Sequence, residues 1–113
     1  MRGADRSAAW IAAALVAAIL AASGASAGDA RAGRQKAVQN CQACHGMDGL
    51  SKNPEAPNIA GQIENYLVKA ITEFRNGERK NETMSIAAKD LTDADIADIA
   101  AYYTSIQIEV IPP

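Results

Sequence analysis

The chain's two cysteines and its one histidine lie together in the stretch Cys41-Gln42-Ala43-Cys44-His45. In a helical turn, side chains at positions i and i+3 project from the same side. Cys41 and Cys44 would therefore present two thiols along one edge, and the imidazole of His45 could swing over the same region. Any fold of this sequence must bring these three side chains to one place.

The N-terminal segment has the composition of an export signal. Two arginines precede residues 8–22, which carry no charge, and small residues follow as far as Ala27. This apolar stretch is shorter than the roughly 20 residues that a membrane-spanning helix needs. We therefore expect residues 1–27 to be a cleaved signal peptide and residues 28–113 to be one periplasmic domain with no membrane span.

The mature domain has few bulky residues for a core. A domain of fewer than 100 residues buries only about 60–65% of its unfolded surface. We therefore expect a metal, a disulfide or a prosthetic group to supply the missing bulk. The aromatic residues after position 27 are Tyr66, Phe74, Tyr102 and Tyr103.

Four chemistries could use the cysteines and the histidine. A disulfide between Cys41 and Cys44 would close a very short loop and restrain the unfolded chain little. A thioredoxin-like redox pair needs a strand-rich α/β setting, and zinc needs about four ligands. Covalent haem attachment uses all three side chains, because two thiols add to two vinyl groups along one edge of the macrocycle while His45 reaches the iron. The C-x-x-C-H spacing and the export signal favour one covalently attached haem c.

Hydrophobic spacing predicts three main helices joined by long loops, with no strand pair. The first helix is capped by Asp29 and runs through Gln42, and the last begins at a capping box of Thr92 and Asp95. Residues 46–61 and 78–89 show no periodicity and are expected to be loops. The apolar positions of the middle helix are Ile63, Tyr66, Leu67, Ala70, Ile71 and Phe74, and Asn76-Gly77 ends it. The inward positions of the last helix are Ile96, Ile99, Ala100 and Tyr103.

Met84 is the candidate for a second ligand of a haem iron. Met47 follows His45 too closely to reach the opposite face of the ring, whereas Met84 is far enough along the chain. The polar, aperiodic surroundings of Met84 make simple core packing a poor explanation for it. Histidine and methionine together are a known pair of axial ligands.

With these motifs the chain resembles a class I bacterial cytochrome c of the small periplasmic monohaem type, and also one half of the dihaem periplasmic relatives. The resemblance spans residues 28–106, and the haem-attachment motif is its most specific part. The other matching segments stand in family order, although no proline follows Met84 closely. They are Gly28-Asp29-Ala30, residues 56–62, Tyr66-Leu67, residues 74–77, Met84, residues 91–96 and residues 100–103.

The resemblance implies an all-α, cytochrome c-like fold, with three main helices and long loops wrapped around the haem. It implies that Gly33 and Ala37 pack across Ile99 and Tyr102. It also implies that the carbonyl of Pro57 accepts a hydrogen bond from the ring nitrogen of His45 that does not touch the iron.

Two axial side chains would leave the iron no vacancy for a substrate, so its chemistry would be the gain or loss of one electron. We expect a periplasmic electron carrier and not an enzyme, with a donor dehydrogenase or respiratory complex and an acceptor oxidase or reductase as partners. Thirteen acidic against eleven basic residues argue against a nucleic-acid partner. The alternative is a tightly bound haem subunit of a periplasmic dehydrogenase complex, suggested by the apolar residues of the tail, residues 106–113. A third possibility, gas sensing or peroxidase-like activity, would require the loss of Met84 from the iron.

Overall fold

A computed structural model describes residues 27–113, so the expected signal peptide, residues 1–27, lies outside the described residues except for Ala27. The described part is all-helical, with three long helices and two short ones and no strand. No helix in it is long and apolar enough to cross a membrane. The helices are α1 (Ala30–Asn40), α2 (Gln42–His45), α3 (Glu64–Asn76), α4 (Glu82–Ala88) and α5 (Asp93–Ser105). The predicted fold class, with three main helices, is confirmed.

The first and last long helices cross in close contact at Gly33. A Cβ atom built on Gly33 would lie 1.8 Å from the carbonyl oxygen of Asp98 and 2.9 Å from the backbone nitrogen of Ile99. One turn further along α1, Ala37 is fully buried. The small residues of α1 therefore let its backbone rest on that of α5, as expected, and this contact fixes where α1 delivers the chain to Cys41.

The N-terminus of α5 is fixed by a reciprocal capping box. The backbone N–H of Asp95 donates to Oγ1 of Thr92 at 3.0 Å, and the backbone N–H of Thr92 donates to Oδ2 of Asp95 at 3.0 Å. The hydrogen bond that Asp95 accepts from the backbone N–H of Thr92 lowers the pKa of the Asp95 carboxyl group. The ammonium group of Lys36 on α1, whose Nζ lies 3.2 Å from Oδ1 of Asp95, lowers it further. Since the folded pKa is lowered, the stability that this carboxylate contributes is lost as pH falls through the folded value.

The expectation of a loop over residues 78–89 is wrong for its second half, where α4 forms. The side chain of Asn81 caps this helix, because its Oδ1 accepts from the backbone N–H of Thr83 at 3.0 Å and of Met84 at 2.9 Å. The backbone N–H of Asn81 in turn donates to Oγ of Ser85 at 3.2 Å. Met84 therefore lies in the first turn of a capped helix and not in a loop.

The first helix also ends earlier than expected, at Asn40, where Cys41 leaves the helical conformation.

The buried core is small and rich in alanine. Its three largest fully buried side chains are Tyr103, Ile96 and Ile99, all on α5. Much of the inward face of α3 also borders a cavity. The buried cluster is Ala37, Leu67, Ala88, Leu91, Ile96, Ile99, Ala100 and Tyr103.

Substitution of Gly33 by alanine tests the helix crossing. In an ordinary helix interior this change stabilises a protein by about 0.5–1 kcal/mol. Here the new methyl group must push α5 away, so we expect Gly33→Ala to lower the free energy of unfolding by about 1–3 kcal/mol in urea denaturation. The exposed neighbour Arg34→Ala is the control and should change it little. A Gly33→Ala protein as stable as the wild type would contradict the close crossing.

Candidate functional site

A cavity of about 310 Å³ lies between α2, the long loop that follows it, α3 and α4. Cys41, Cys44, His45, Pro57 and Met84 all line it. The structure thus brings together all five side chains that the sequence singled out. The remaining wall is mostly apolar and includes Ile59, Leu67, Ala70, Ile71, Phe74 and Leu91.

The two cysteines bracket the start of α2, and their thiols are free. Cys41 breaks the path from α1 into α2, and its carbonyl accepts from the backbone N–H of Cys44 at 3.3 Å and of His45 at 3.0 Å. This single turn places both cysteines at the cavity. Burial raises the pKa of the Cys41 thiol to about 11, so the thiol is protonated at neutral pH. In the described residues no group of three or more His, Cys, Asp or Glu side chains is arranged to hold a metal ion.

The imidazole of His45 is buried, with 7% of its surface exposed, and is held by the loop opposite. Its Nδ1 lies 2.9 Å from the carbonyl oxygen of Pro57, which is the contact that the family resemblance implies. Because a carbonyl can only accept, Nδ1 carries the proton and Nε2 keeps its lone pair. The carbonyl of Gly49 accepts from the backbone N–H groups of Ile59 and Ala60 at 2.8 and 3.1 Å. These bonds fix the segment that carries Pro57.

Two consecutive tyrosines of α5 hold the backbone immediately after His45. The hydroxyl of Tyr103 donates to the carbonyl of Gly46 at 2.9 Å, and that of Tyr102 donates to the carbonyl of Met47 at 2.5 Å. Burial raises the pKa of Tyr103, which keeps its hydroxyl protonated as a donor. The spacing of these tyrosines along α5 predicts packing and does not reveal the partners of their hydroxyl groups. The available signal was a tyrosine on a fully inward position, since a buried hydroxyl needs a partner.

The two methionines of residues 27–113 occupy different places. Met84 is half-buried and lines the cavity from α4. Met47 packs against the buried cluster and is not part of the cavity wall. Of these two thioethers, only that of Met84 borders the same space as the imidazole of His45.

Comparison with known proteins agrees with this geometry. The family model described as Cytochrome c matches residues 30–107. The chain belongs to the cytochrome c family. Cytochrome c-554(548) of Halomonas halodenitrificans is 49% identical over 77 residues, which cover 66% of this chain and 92% of that protein. The crystal structure of reduced recombinant cytochrome c4 from Pseudomonas stutzeri matches with a TM-score of 0.66 and 41% identity, over 72% of this chain and 47% of that one.

The name of a third relative of this cytochrome c states its electron donor. It is a thiosulfate dehydrogenase electron acceptor of Thiomonas intermedia, 40% identical over 70 residues, which cover 60% of this chain and 32% of the relative. This cytochrome c spans about two fifths of the length of the curated cytochromes c4 that it matches. The predictions of the family and of haem c as its covalently attached cofactor are confirmed. At the level of the family, the expectation of an electron carrier and not an enzyme is confirmed as well.

The donor set of the cavity fits that cofactor. Two free thiols stand three residues apart at its edge, and a buried imidazole with an oriented Nδ1 follows directly. A thioether borders the same space from a different helix, and the walls are apolar.

Replacement of each tyrosine by phenylalanine tests the anchoring of the segment after His45. Tyr103→Phe leaves the buried carbonyl of Gly46 without its donor, which should lower the free energy of unfolding by about 1–3 kcal/mol. Tyr102→Phe is the matched control, because its ring is half-exposed and water can replace the lost donor. Guanidinium denaturation of both variants measures the difference. Equal losses would contradict the buried role of the Tyr103 hydroxyl.

Proposed function

We propose that this chain is a periplasmic carrier of single electrons, with one haem c attached through Cys41 and Cys44 and ligated by His45 and Met84. The observation that carries the proposal is the convergence of these four side chains on one apolar cavity. When bound, haem c supplies an iron centre that alternates between the ferric and ferrous states, taking one electron from a donor and giving it to an acceptor. The polypeptide attaches the cofactor, orients its ligands and surrounds it with apolar side chains.

Cys41 and Cys44 fix the cofactor in place. Each thiol forms one thioether bond, so the cofactor cannot leave when the protein unfolds locally. The turn that begins α2 holds the two cysteines together at the cavity, because the carbonyl of Cys41 accepts from the backbone N–H groups of Cys44 and His45. Attachment also removes a thiol that burial keeps protonated.

His45 would hold the haem iron through Nε2. The hydrogen bond from Nδ1 to the Pro57 carbonyl fixes the tautomer and orients the ring, which is the support that a metal-ligating histidine usually has. The two tyrosines of α5 restrain the backbone on the other side of His45. The imidazole is therefore constrained by two separate parts of the chain.

Met84 would hold the haem iron from α4. Its backbone N–H donates to the side chain of Asn81, so the residue is positioned by a helix cap. A thioether ligand raises the reduction potential. The apolar residues of α3 exclude water from the rest of the cavity and favour the less charged, ferrous state.

The proposal includes a place in the cell and a class of partner. Residues 1–27 act as a signal peptide that directs the chain to the periplasm, where cleavage follows Ala27. The partners are redox proteins, namely a donor dehydrogenase or respiratory complex and an acceptor oxidase or reductase. The relative that accepts electrons from thiosulfate dehydrogenase supports a dehydrogenase as the donor.

Carbon monoxide binding tests the ligand assigned to Met84. Carbon monoxide binds ferrous haem only where an axial position is open, so the reduced wild-type spectrum should not change under the gas. Reduced Met84→Ala should show a carbon monoxide spectrum, and its oxidised form should lose the weak long-wavelength band from sulfur-to-iron charge transfer. Met47→Ala removes a thioether outside the cavity and should behave as the wild type. A wild-type protein that binds the gas, or a Met84→Ala protein that does not, would overturn the assignment.

A second candidate function is that of a permanently docked haem subunit of a dehydrogenase complex. The C-terminal tail favours it, because Ile108, Val110 and Ile111 are 57%, 81% and 81% exposed. Free carriers have little need for such exposed apolar side chains. Size-exclusion chromatography of the native protein from its own membranes and periplasm separates the two functions. Elution as a small monomer supports the free carrier, and co-elution with a dehydrogenase polypeptide supports the subunit.

A further inference from the structure

A side-chain amide in the cavity wall lies beside the sulfur atom of the second cysteine. Asn53, in the loop between α2 and α3, lines the cavity together with Cys44. Its Nδ2 donates to Sγ of Cys44 at 3.9 Å, and both residues are partly buried. An amide N–H is therefore directed at one of the two atoms through which, in the proposed function, the cofactor is attached.

The orientation of this amide is fixed by its own loop. Oδ1 of Asn53 accepts from the backbone N–H of Glu55 at 2.9 Å, which is the hydrogen bond of an Asx turn. Because a backbone N–H can only donate, the amide oxygen must face Glu55, and the amide nitrogen then faces the sulfur of Cys44. The backbone N–H of Asn53 also donates to Oγ of Ser51 at 3.2 Å. The polypeptide alone thus sets the position of the donor.

The loop that carries Asn53 is also fixed to the turn that carries Cys44. The backbone N–H of Lys52 donates to the carbonyl of Cys44 at 2.8 Å. One residue earlier, the backbone N–H of Ser51 donates to Oδ1 of Asn58 at 2.7 Å. Cys44 is therefore bound to this loop twice, once through its backbone and once through its sulfur.

We propose that Asn53 donates a hydrogen bond to the sulfur of the Cys44 thioether and thereby raises the reduction potential of the haem. The inference rests on the proposed function, because it requires the haem to be attached through Cys44. A thioether sulfur keeps its lone pairs after the bond to the cofactor forms, so it remains an acceptor for the amide N–H. Asn53 is therefore a positioning residue that acts on the cofactor through Cys44.

The direction of the effect follows from the charge on the iron centre. The positive end of the amide N–H dipole points to the sulfur and thus to the edge of the macrocycle. The ferric haem has one more positive charge than the ferrous haem, so this dipole destabilises the ferric state more. The hydrogen bond also draws electron density from the sulfur and the ring bonded to it, which acts in the same direction. Both effects favour the reduced state, and hydrogen bonds around a haem are one of the means by which a protein sets its potential.

The test is the midpoint potential of the intact holoprotein, measured by spectroelectrochemical titration. Asn53→Ser keeps an oxygen that can accept from the backbone N–H of Glu55 but removes the donor to the sulfur. At the wild-type midpoint potential, the ratio of reduced to oxidised protein should fall by at least about twofold in this variant. Asn58→Ser is the matched control, because Asn58 accepts within the same loop through Oδ1 but does not line the cavity. Its ratio should remain that of the wild type.

Nuclear Overhauser spectra of the reduced wild-type holoprotein locate the donor independently of the potential. A side-chain amide proton of Asn53 should give a cross-peak to the proton on the haem carbon that is bonded to the sulfur of Cys44. Asn53→Asp provides a second variant if Asn53→Ser does not accumulate, because it keeps the turn oxygen and the shape of the side chain. Its potential should lie below that of Asn58→Asp, which adds the same charge to the same loop.

The results separate this inference from the proposed function. Covalent holoprotein in which Asn53→Ser has the wild-type potential or a higher one overturns the role of Asn53 alone, as does the absence of the cross-peak. Equal shifts in the Asn53 variant and its Asn58 control also overturn it, since a general change in the loop then explains the effect. A wild-type protein without covalent haem overturns the proposed function and this inference together.

Discussion

The organisation of the molecule depends on the apolar wall that α3 contributes to the cavity. Its apolar side chains border a cavity of about 310 Å³, while the fully buried core is limited mainly to residues of α5 and alanines. Burying apolar surface is the main favourable term in folding. A chain with so little bulk of its own cannot complete that burial, so the cofactor of the family acts as part of the hydrophobic core. Structure and redox function then depend on the same bound group.

A close helix crossing and two hydrogen bonds between distant segments hold the residues around His45. The Gly33 crossing sets the position of α1, and α1 delivers Cys41 to the cavity. The Pro57 carbonyl holds the imidazole from one side, and the hydroxyl of Tyr103 holds the following backbone from the other. Electron transfer benefits from this arrangement, because an iron site whose ligands do not move between oxidation states changes little when it gains or loses an electron.

The sequence predicts those parts of this molecule that a short local motif determines on its own. The C-x-x-C-H stretch, the Thr92–Asp95 capping box and the Asn76-Gly77 helix end are such patterns, and Gly77 does adopt the left-handed conformation. Periodicity failed for α4, because a seven-residue helix is too short to show an apolar stripe. Its start was encoded in the single cap Asn81. The partners of the Tyr102 and Tyr103 hydroxyls could not be predicted, since these hydrogen bonds join segments whose contact arises only in the folded chain.

The central claim is that a haem is covalently bound to Cys41 and Cys44 and completes the core. Mass spectrometry of the intact protein, purified from cells that contain the haem-attachment machinery and extracted with acid–acetone, tests it most directly. The account predicts the mass of the polypeptide from Gly28 onwards plus one haem, with the added mass located by proteolysis on the peptide that contains both cysteines. A folded, colourless protein with the mass of the bare polypeptide would contradict it.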